Sequence, residues 1–511
     1  MADNGFSESL SVANKSSKSI SFGIDVIKLL SGTIVAQGLG VLSAPLLARL
    51  YGPSAFGILS IFTSILAVIT AISCLRYEFA IMLPETNEEA ANLMAGSILI
   101  SVIISFITVF IFWLGNTKVT QLLNAPELGP YLWLIAPAIF FGGIAIGHPA
   151  LNYWTTRMKH FGWLAVAKVF GSIVTIGFQI IAGFIGFATG GNLILAYIFG
   201  GGIVSTLVLG WQIWLHDGRF LLKSYNWKRM SQGLIRYKKF PLFDTWGVLL
   251  NTISTQLPTF FLAAYFSPSV AGFYAIGNNL LRLPMSVVGS AIAQVFYPRA
   301  AEAKVDGTLA RMVEVTFYYL VKLGMFPLLV LTIVGKDLFI VVLGSRWSEA
   351  GVYTQILSVW TFFWLISTPL SNLFRLLEKQ EFNLTINIII VITRIISLLI
   401  GGLLKNARIA LLIYSISGII VYGYLSLAIM KSSGVPLYKM FRILFNNILL
   451  FLPAGILLFI MGIVGLSSWL LVGLSVIIIV IYYLFTIIKD NRILDFIIRI
   501  FRKKSSRLED I

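Results

Sequence analysis

Basic side chains lie at several positions where the surrounding sequence is strongly apolar. A charge at the centre of a lipid bilayer costs about 2.5–3.5 kcal/mol on insertion scales, so each such residue indicates a functional site. Arginine binds two phosphate oxygens at once through its planar guanidinium, and lysine supplies a compact point charge. The surplus of deep positive charge predicts a site for an anionic group, whereas a site for a cationic compound would be expected to carry the opposite surplus. The five residues are Lys28, Lys168, Arg282, Lys322 and Arg394.

These positions differ in how easily the charge reaches water. Arg282 and Arg394 lie deep in their apolar segments, where each either contacts the anion or forms a structural ion pair. Lys168 and Lys322 lie nearer to segment ends, where a long stem can instead carry the ammonium to the interface. Both interpretations stay open for each of the four residues.

The acidic residues lie closer to the segment ends. Arg76 closes the second apolar segment, either as an anchor at the membrane boundary or as part of a functional site with Glu78 as its partner. Asp244, at the start of the seventh segment, either balances charge or carries a proton, because low-dielectric surroundings raise a carboxyl pKa. Glu78 and Asp244 are therefore candidates for coupling to an ion gradient or for charge balance. Asp25 and Lys28 are expected to pair on one helix face.

The composition says which elements must position these residues. The chain is 58% hydrophobic and 12% charged, with a mean hydropathy of +0.90, whereas soluble chains carry about 25% charged residues. A helix needs about 20 apolar residues to cross a bilayer, and fourteen segments between residues 24 and 488 meet this standard. We predict an all-α polytopic membrane protein, with neither a metal site nor a cofactor.

The distribution of basic residues predicts the orientation. Most of the 38 Lys and Arg residues fall in alternate connections if the N-terminus is cytoplasmic, which places both termini in the cytoplasm. The net charge of +17 is then a topology signal and an attraction to anionic membrane lipids, not a nucleic-acid site. The basic tail is expected either to lie along the membrane surface or to be solvated.

A short pattern occurs twice, 215 residues apart. The copies are LARLYGPSAFGILS, residues 47–60, and LAAYFSPSVAGFYAI, residues 262–276. Each follows the first helix of a six-helix set, so the two sets share one orientation and form a parallel repeat. The prolines fit the start of the next helix and the glycines permit close helix approach. The predicted parts are a cytoplasmic segment 1–20, bundles 21–215 and 241–430 joined by a basic linker 216–240, two further helices within 431–488, and a tail 489–511.

Four stretches carry a resemblance to a known family. They are LARLYGPSAFGILSIF, RYEFAIMLPETNEEA from Arg76, GNNLLRLP from Gly277 and QVFYPRAAEA from Gln294. With the two six-helix sets, they resemble the polysaccharide transporter branch of the multidrug/oligosaccharidyl-lipid/polysaccharide exporter superfamily, the Wzx-type flippases. The resemblance covers essentially residues 20–490.

The resemblance implies a V-shaped cavity between two bundles that opens alternately to each side of the cytoplasmic membrane. It implies a polyprenyl-diphosphate-linked oligosaccharide as cargo, a role in lipopolysaccharide or capsule assembly, and other polysaccharide-assembly proteins as partners. The cationic residues Arg76, Lys168, Arg282, Lys322 and Arg394 would then be the substrate-binding residues.

Two other classes compete with the flippase interpretation. A cation-coupled, multidrug-type antiporter belongs to the same superfamily, but the cationic surplus disfavours it. A membrane enzyme such as a glycan polymerase is disfavoured because every predicted outer loop is short and no nucleophile or phosphate-binding motif appears.

Trp360 and Trp364, four residues apart on one helix face, either stack on sugar rings or pack against a neighbouring helix. The last two segments, apolar and unrepeated, are expected to guide a lipid tail.

Overall fold

The structure is a computed structural model that describes residues 32–141 and 148–489. All regular elements in this part of the chain are helices, which confirms the all-α prediction. Asp25 and Lys28, the predicted cytoplasmic segment before them and nearly all of the predicted basic tail lie outside the described residues.

Eleven helical stretches within the described residues are long and apolar enough to cross a membrane, by length and composition. A multi-span membrane protein is therefore confirmed, and the number of fourteen stays a prediction. The remaining three predicted segments are 129–154, 241–266 and 270–297, and they fall on shorter or more polar helices.

The described chain divides into two compact units. The first ends at Ile276 and also takes in Leu398–Ala407, and the second contains Gly277–Ser397 and the chain from Arg408. In chain order, the helices that begin in the first unit are α1 Gly32–Leu50, α2 Pro53–Thr70, α3 Tyr77–Ala80, α4 Asn87–Leu122, α5 Ile135–Phe140, α6 Pro149–Arg157, α7 Phe161–Phe184, α8 Gly190–Ala196, α9 Ser205–Ser224, α10 Trp227–Arg236, α11 Thr245–Tyr265 and α12 Pro268–Pro284.

The second unit contains the rest of the described chain. Its helices are α13 Ser290–Val305, α14 Leu309–Leu343, α15 Ser348–Ser367, α16 Leu373–Leu376, α17 Gln380–Leu403, whose last residues belong to the first unit, α18 Ala407–Ser433, α19 Leu437–Ile463 and α20 Ser468–Lys489.

The predicted basic linker is helical in its middle part. Asn226 caps α10 by accepting hydrogen bonds from the backbone N–H groups of the next turn, a favoured helix start. Arg236 of α10 forms an ion pair with Glu89 at 3.0 Å, and Arg229 forms one with Glu88 at 3.8 Å. Because both acids lie in the first turn of α4, these pairs hold α10 against the beginning of that helix.

The two copies of the repeated pattern pack against each other within the first unit. Pro53 begins α2 and Pro268 begins α12, as predicted. A Cβ on Gly57 would overlap the backbone carbonyl of Pro268, and a Cβ on Gly272 would overlap the carbonyl of Pro53. The close approach predicted from the glycines is therefore present, and it joins one copy reciprocally to the other.

The core of the second unit forms around α14. Helices α15, α19 and α20 all pack on it. An apolar cluster joins Phe326 and Val330 of α14 to Phe451 of α19 and Tyr482 of α20. The two C-terminal helices are therefore built into this unit along one long helix.

Large apolar side chains remain exposed on several of the long helices, notably α4, α9, α19 and α20. Such continuous apolar surface is expected where helices face lipid. Cys74, the chain's one cysteine, is instead buried, with 2% of its surface exposed.

Candidate functional site

Arg76 lies at the centre of a charged cluster in the first unit, which we call the Arg76 cluster. Leu75 and Arg76 both adopt left-handed backbone angles, with φ of 48° and 65°. This turn follows α2 and separates it from α3. The Arg76 Nε donates to Asp244 Oδ2 at 2.8 Å, and its Nη1 lies 3.4 Å from Glu78 Oε1. The guanidinium also lies 3.9 Å from the centre of the Phe79 ring.

The structure thus pairs Arg76 with Glu78, as the sequence suggested, and adds Asp244, which the sequence suggested separately. Asp244 is half exposed and Glu78 is almost buried, with 48% and 9% of their side chains exposed. The second oxygen of Glu78, Oε2, is buried and has no hydrogen-bond partner among the described residues. Since one arginine serves two carboxylates, the cluster can hold one additional proton or cation.

Burial raises the pKa of Glu78, and the nearby Asp244 raises it further, while Arg76 opposes both. An acid with a raised folded-state pKa binds its proton more tightly in the folded protein. Stability therefore falls as the pH rises above glutamate's ordinary pKa of about 4.3.

We expect Glu78→Gln to remove this loss and to raise stability at neutral pH, because glutamine cannot ionise at this buried position. The measurement is the unfolding temperature in detergent between pH 5 and pH 8. Glu85→Gln, at an exposed position nearby, is the control and should follow the parent. A variant that kept the parent's slope would show that Glu78 does not titrate in this range.

Lys168 lies in a cavity of about 320 Å³ in the first unit. Its Nζ donates to Thr33 Oγ1 at 3.0 Å. The lining offers an ammonium, hydroxyls and an amide but no carboxylate. The lining residues are Thr33, Asn152, Tyr153, Thr156, Leu164, Ala165 and Lys168.

Tyr153 connects this cavity with the Arg76 cluster. Its ring lies 4.6 Å from the ring of Phe79, on which the Arg76 guanidinium packs. Tyr153 also lies within electrostatic reach of Glu78. The two predicted cations of this unit are therefore separated by two aromatic side chains.

Arg394 lies among aromatic side chains in the second unit. Its Nη2 donates to Tyr422 Oη at 3.2 Å, and its guanidinium lies 5.9 Å from the centre of the Tyr414 ring. Arg282 is exposed and lies within electrostatic reach of Tyr422. Of the two predicted deep arginines, Arg394 is the one that donates a hydrogen bond to the Tyr422 hydroxyl.

Trp360 packs against Tyr414, one of the aromatic side chains near Arg394. It is buried, and its ring lies 5.2 Å from Tyr414 and 6.2 Å from Trp364. A Cβ on Gly418 would overlap the Trp360 ring, so α18 passes directly over it. Of the two interpretations for this tryptophan, helix packing is the one that the contacts support.

Lys322 is buried, with 9% of its surface exposed, so it does not reach out to an interface. Its Nζ donates to Tyr318 Oη at 2.9 Å, one turn earlier on α14. The spacing of four residues could have revealed this pair. Tyr153, Tyr414 and Tyr422 could not be recognised from the sequence, because their partners come from distant segments. No group of three or more metal-ligating side chains occurs among the described residues.

Two solved structures share the fold of this chain. The lipid II flippase MurJ, in an inward closed conformation, is similar with a TM-score of 0.67 and 15% identity, over 92% of this chain and 100% of that one. An inward-facing multidrug resistance transporter of the MATE family matches with a TM-score of 0.60 and 14% identity, over 80% and 98%. At this identity the likeness establishes the fold alone, an all-helical fold that MurJ and the MATE transporter share.

The sequence comparisons define the family. The model of a family described as polysaccharide biosynthesis protein matches residues 46–352, more than half of the chain. The chain belongs to this family, and its predicted place in the polysaccharide transporter branch is confirmed.

Two curated relatives come from bacteria. The lipopolysaccharide biosynthesis protein WzxC of Escherichia coli K12 is 23% identical over 73% of this chain and 74% of its own length. The teichuronic acid biosynthesis protein TuaB of Bacillus subtilis 168 is 20% identical over 41% and 42%.

Proposed function

We propose that the protein is a flippase that moves a polyprenyl-diphosphate-linked oligosaccharide from the inner to the outer leaflet of the cytoplasmic membrane. The product would serve cell-surface polysaccharide assembly. The observation that carries this proposal is the Lys168 cavity, which combines one ammonium with hydroxyls and an amide and has no carboxylate in its lining. Hydroxyls and amides suit a glycan, and the ammonium suits an anionic group on it.

The proposed mechanism is alternating access, with residues 21–215 and 241–430 as the two moving parts of a parallel repeat. Both termini are cytoplasmic in this arrangement, so the repeated hairpins lie on the outer side. The protein would exchange between a state open to the cytoplasm and a state open to the outside. Cargo can shift the equilibrium between these two states only if it binds one of them more tightly than the other. We propose that Arg282 and Arg394 contact the cargo differently in the two states. Lys322 is a third proposed cation for cargo binding.

The Arg76 cluster is the proposed coupling element. Arg76 connects the turn after α2 with Asp244 at the start of α11, which belong to different predicted bundles. Protonation of Asp244 would weaken its hold on Arg76 and release one bundle from the other, while Glu78, in the same bundle as Arg76, would then keep the arginine paired. Anionic membrane lipids are the proposed partners of the basic cytoplasmic connections.

The alternative is a cation-coupled antiporter of small molecules. The similarity to the multidrug transporter fold and the two carboxylates beside Arg76 favour it. The relatives of known structure are a flippase and transporters, which supports a non-enzymatic role for either candidate.

The deciding experiment depletes the protein and analyses lipid-linked sugars. We expect an oligosaccharide–polyprenyl diphosphate to accumulate, protected from reagents outside the membrane, and its mass would identify the cargo. Unchanged lipid-linked sugars together with sensitivity to cationic compounds would favour the antiporter instead.

A further inference from the structure

Helix α14 contains a proline, Pro327, well inside its 35 residues. Proline has no backbone N–H, so the carbonyl of the residue four positions earlier, Leu323, cannot receive its usual helical hydrogen bond. In a bilayer no water is present to satisfy such a carbonyl, and an unpaired one is costly. Another part of the protein must therefore supply the donor.

Two neighbouring tyrosines of α20 supply donors at this position. The Tyr483 hydroxyl donates to the carbonyl of Leu323 at 2.7 Å. The Tyr482 hydroxyl donates to the carbonyl of Lys322, also at 2.7 Å. Both hydroxyls thus reach the turn of α14 whose hydrogen-bond pattern Pro327 interrupts.

Ring packing holds the side chain of Tyr482 in place. The Tyr482 ring stacks on the Phe326 ring, with centres 4.0 Å apart and planes 13° apart. Phe451 of α19 meets the other edge of this group, 5.5 Å from Phe326 at 84°. Both C-terminal helices therefore contribute to the contact.

Polar contacts fix the same two helices on either side of the proline. Lys439 of α19 forms an ion pair with Glu314 at 2.7 Å. Ser468, at the start of α20, donates to Asp337 at 2.7 Å. Glu314 and Asp337 are about 35 Å apart along α14, which is close to the thickness of the hydrocarbon core. The two C-terminal helices hold α14 at three levels across the membrane.

We propose that α19 and α20 brace α14 at Pro327, and that Tyr482 and Tyr483 are positioning residues for Lys322. The role of Lys322 in cargo binding rests on the proposed function. Its ammonium is held by Tyr318, and its own carbonyl is held by Tyr482. The two appended helices then have a function inside the transport unit, separate from any contact with a lipid tail.

A double-mutant cycle tests the brace independently of transport. Tyr483→Phe keeps the ring and removes the hydroxyl, so the unfolding temperature should fall by roughly 1–3 °C. Pro327→Ala restores an N–H that pairs with the Leu323 carbonyl. In that background, Tyr483→Phe should have little further effect. Additive losses in the double variant would overturn the brace.

Two further variants serve as a comparison and as a control for this cycle. Tyr482→Phe should lower the unfolding temperature with or without Pro327, because the Lys322 carbonyl is not the one that proline leaves unpaired. Tyr438→Phe, at a position 64% exposed on α19, should have no effect. A loss at Tyr438 as large as that at Tyr483 would also overturn the proposal.

A transport readout tests the positioning of Lys322. In vesicles that contain the lipid-linked oligosaccharide, Tyr482→Phe should raise the half-saturating cargo concentration several-fold, as should Lys322→Met, with a smaller change in maximal rate. An unchanged half-saturating concentration in Tyr482→Phe would overturn the positioning role. Absence of transport by the parent protein would instead contradict the proposed function, and the unfolding cycle would still test the brace.

Discussion

Replacement of Arg282 by alanine is expected to reduce transport roughly tenfold to a hundredfold while the amount of protein in the membrane stays normal. Arg282 is exposed, and the salt bridges of the described chain do not include it. Its removal therefore leaves no buried carboxylate without a partner, which would otherwise cost about 3–5 kcal/mol of stability. A lost charge-assisted hydrogen bond to cargo is worth about 1.5–3 kcal/mol, a rate loss of roughly tenfold to a hundredfold.

The assay is flipping of the lipid-linked oligosaccharide in vesicles, with the protein quantified in the same membranes. Arg311→Ala removes another exposed arginine, at the beginning of α14, and should leave transport unchanged. Arg394→Ala should also reduce transport, because Arg394 is the second proposed cargo contact and hydrogen-bonds to Tyr422, which lies within electrostatic reach of Arg282. Normal transport by Arg282→Ala would remove this residue from the binding site.

The second large effect is expected at the reciprocal hairpin contact. Alanine at Gly57 or at Gly272 places a Cβ against a backbone carbonyl of the other copy. A carbonyl cannot turn aside as a flexible side chain can, so the hairpins must separate. Overpacking of this kind costs about 1–3 kcal/mol. In the proposed mechanism the cost falls on the state in which the hairpins touch, and transport should drop by about tenfold or more.

Gly247→Ala is the matched control, since a Cβ at this position of α11 meets nothing within 4 Å. Transport and unfolding temperature should be measured for all three variants. Because the contact is reciprocal, Gly57→Ala and Gly272→Ala should have similar effects, and their combination should cost less than the sum. Full transport by both single variants would show that the close contact is not needed in the cycle.

The sequence was sufficient for features that depend on local patterns. Apolar length predicted the helices, and Pro53 and Pro268 were placed correctly at helix starts. The predicted segment 129–154 is not among the described helices that are long and apolar enough to cross a membrane. Pro130 lies inside a 3₁₀ helix, and Pro149 begins α6 as a separate helix. A proline removes a helical hydrogen bond without lowering the hydropathy of the stretch, so hydropathy alone does not show where a helix begins.

Partnerships across the chain could not be predicted in the same way. Arg76 and Asp244 are separated by 168 residues, and Lys168 and Thr33 by 135. Each appeared in the sequence as a charge or hydroxyl near a segment end, and only the packing of helices brings the pairs together. Tyr483 and Pro327 are a further case, since neither residue alone indicates that the other is needed.

The burial of Cys74 has a practical consequence for following the motions proposed here. A buried thiol in structural surroundings is inert towards reagents in water, and this cysteine has no second cysteine in the chain with which to pair. The native protein is thus already suited to thiol-specific labelling. Probes can be attached at engineered cysteines on the two repeated hairpins without first altering the parent sequence. Distances between such probes would report directly how far the hairpins separate during each transport cycle.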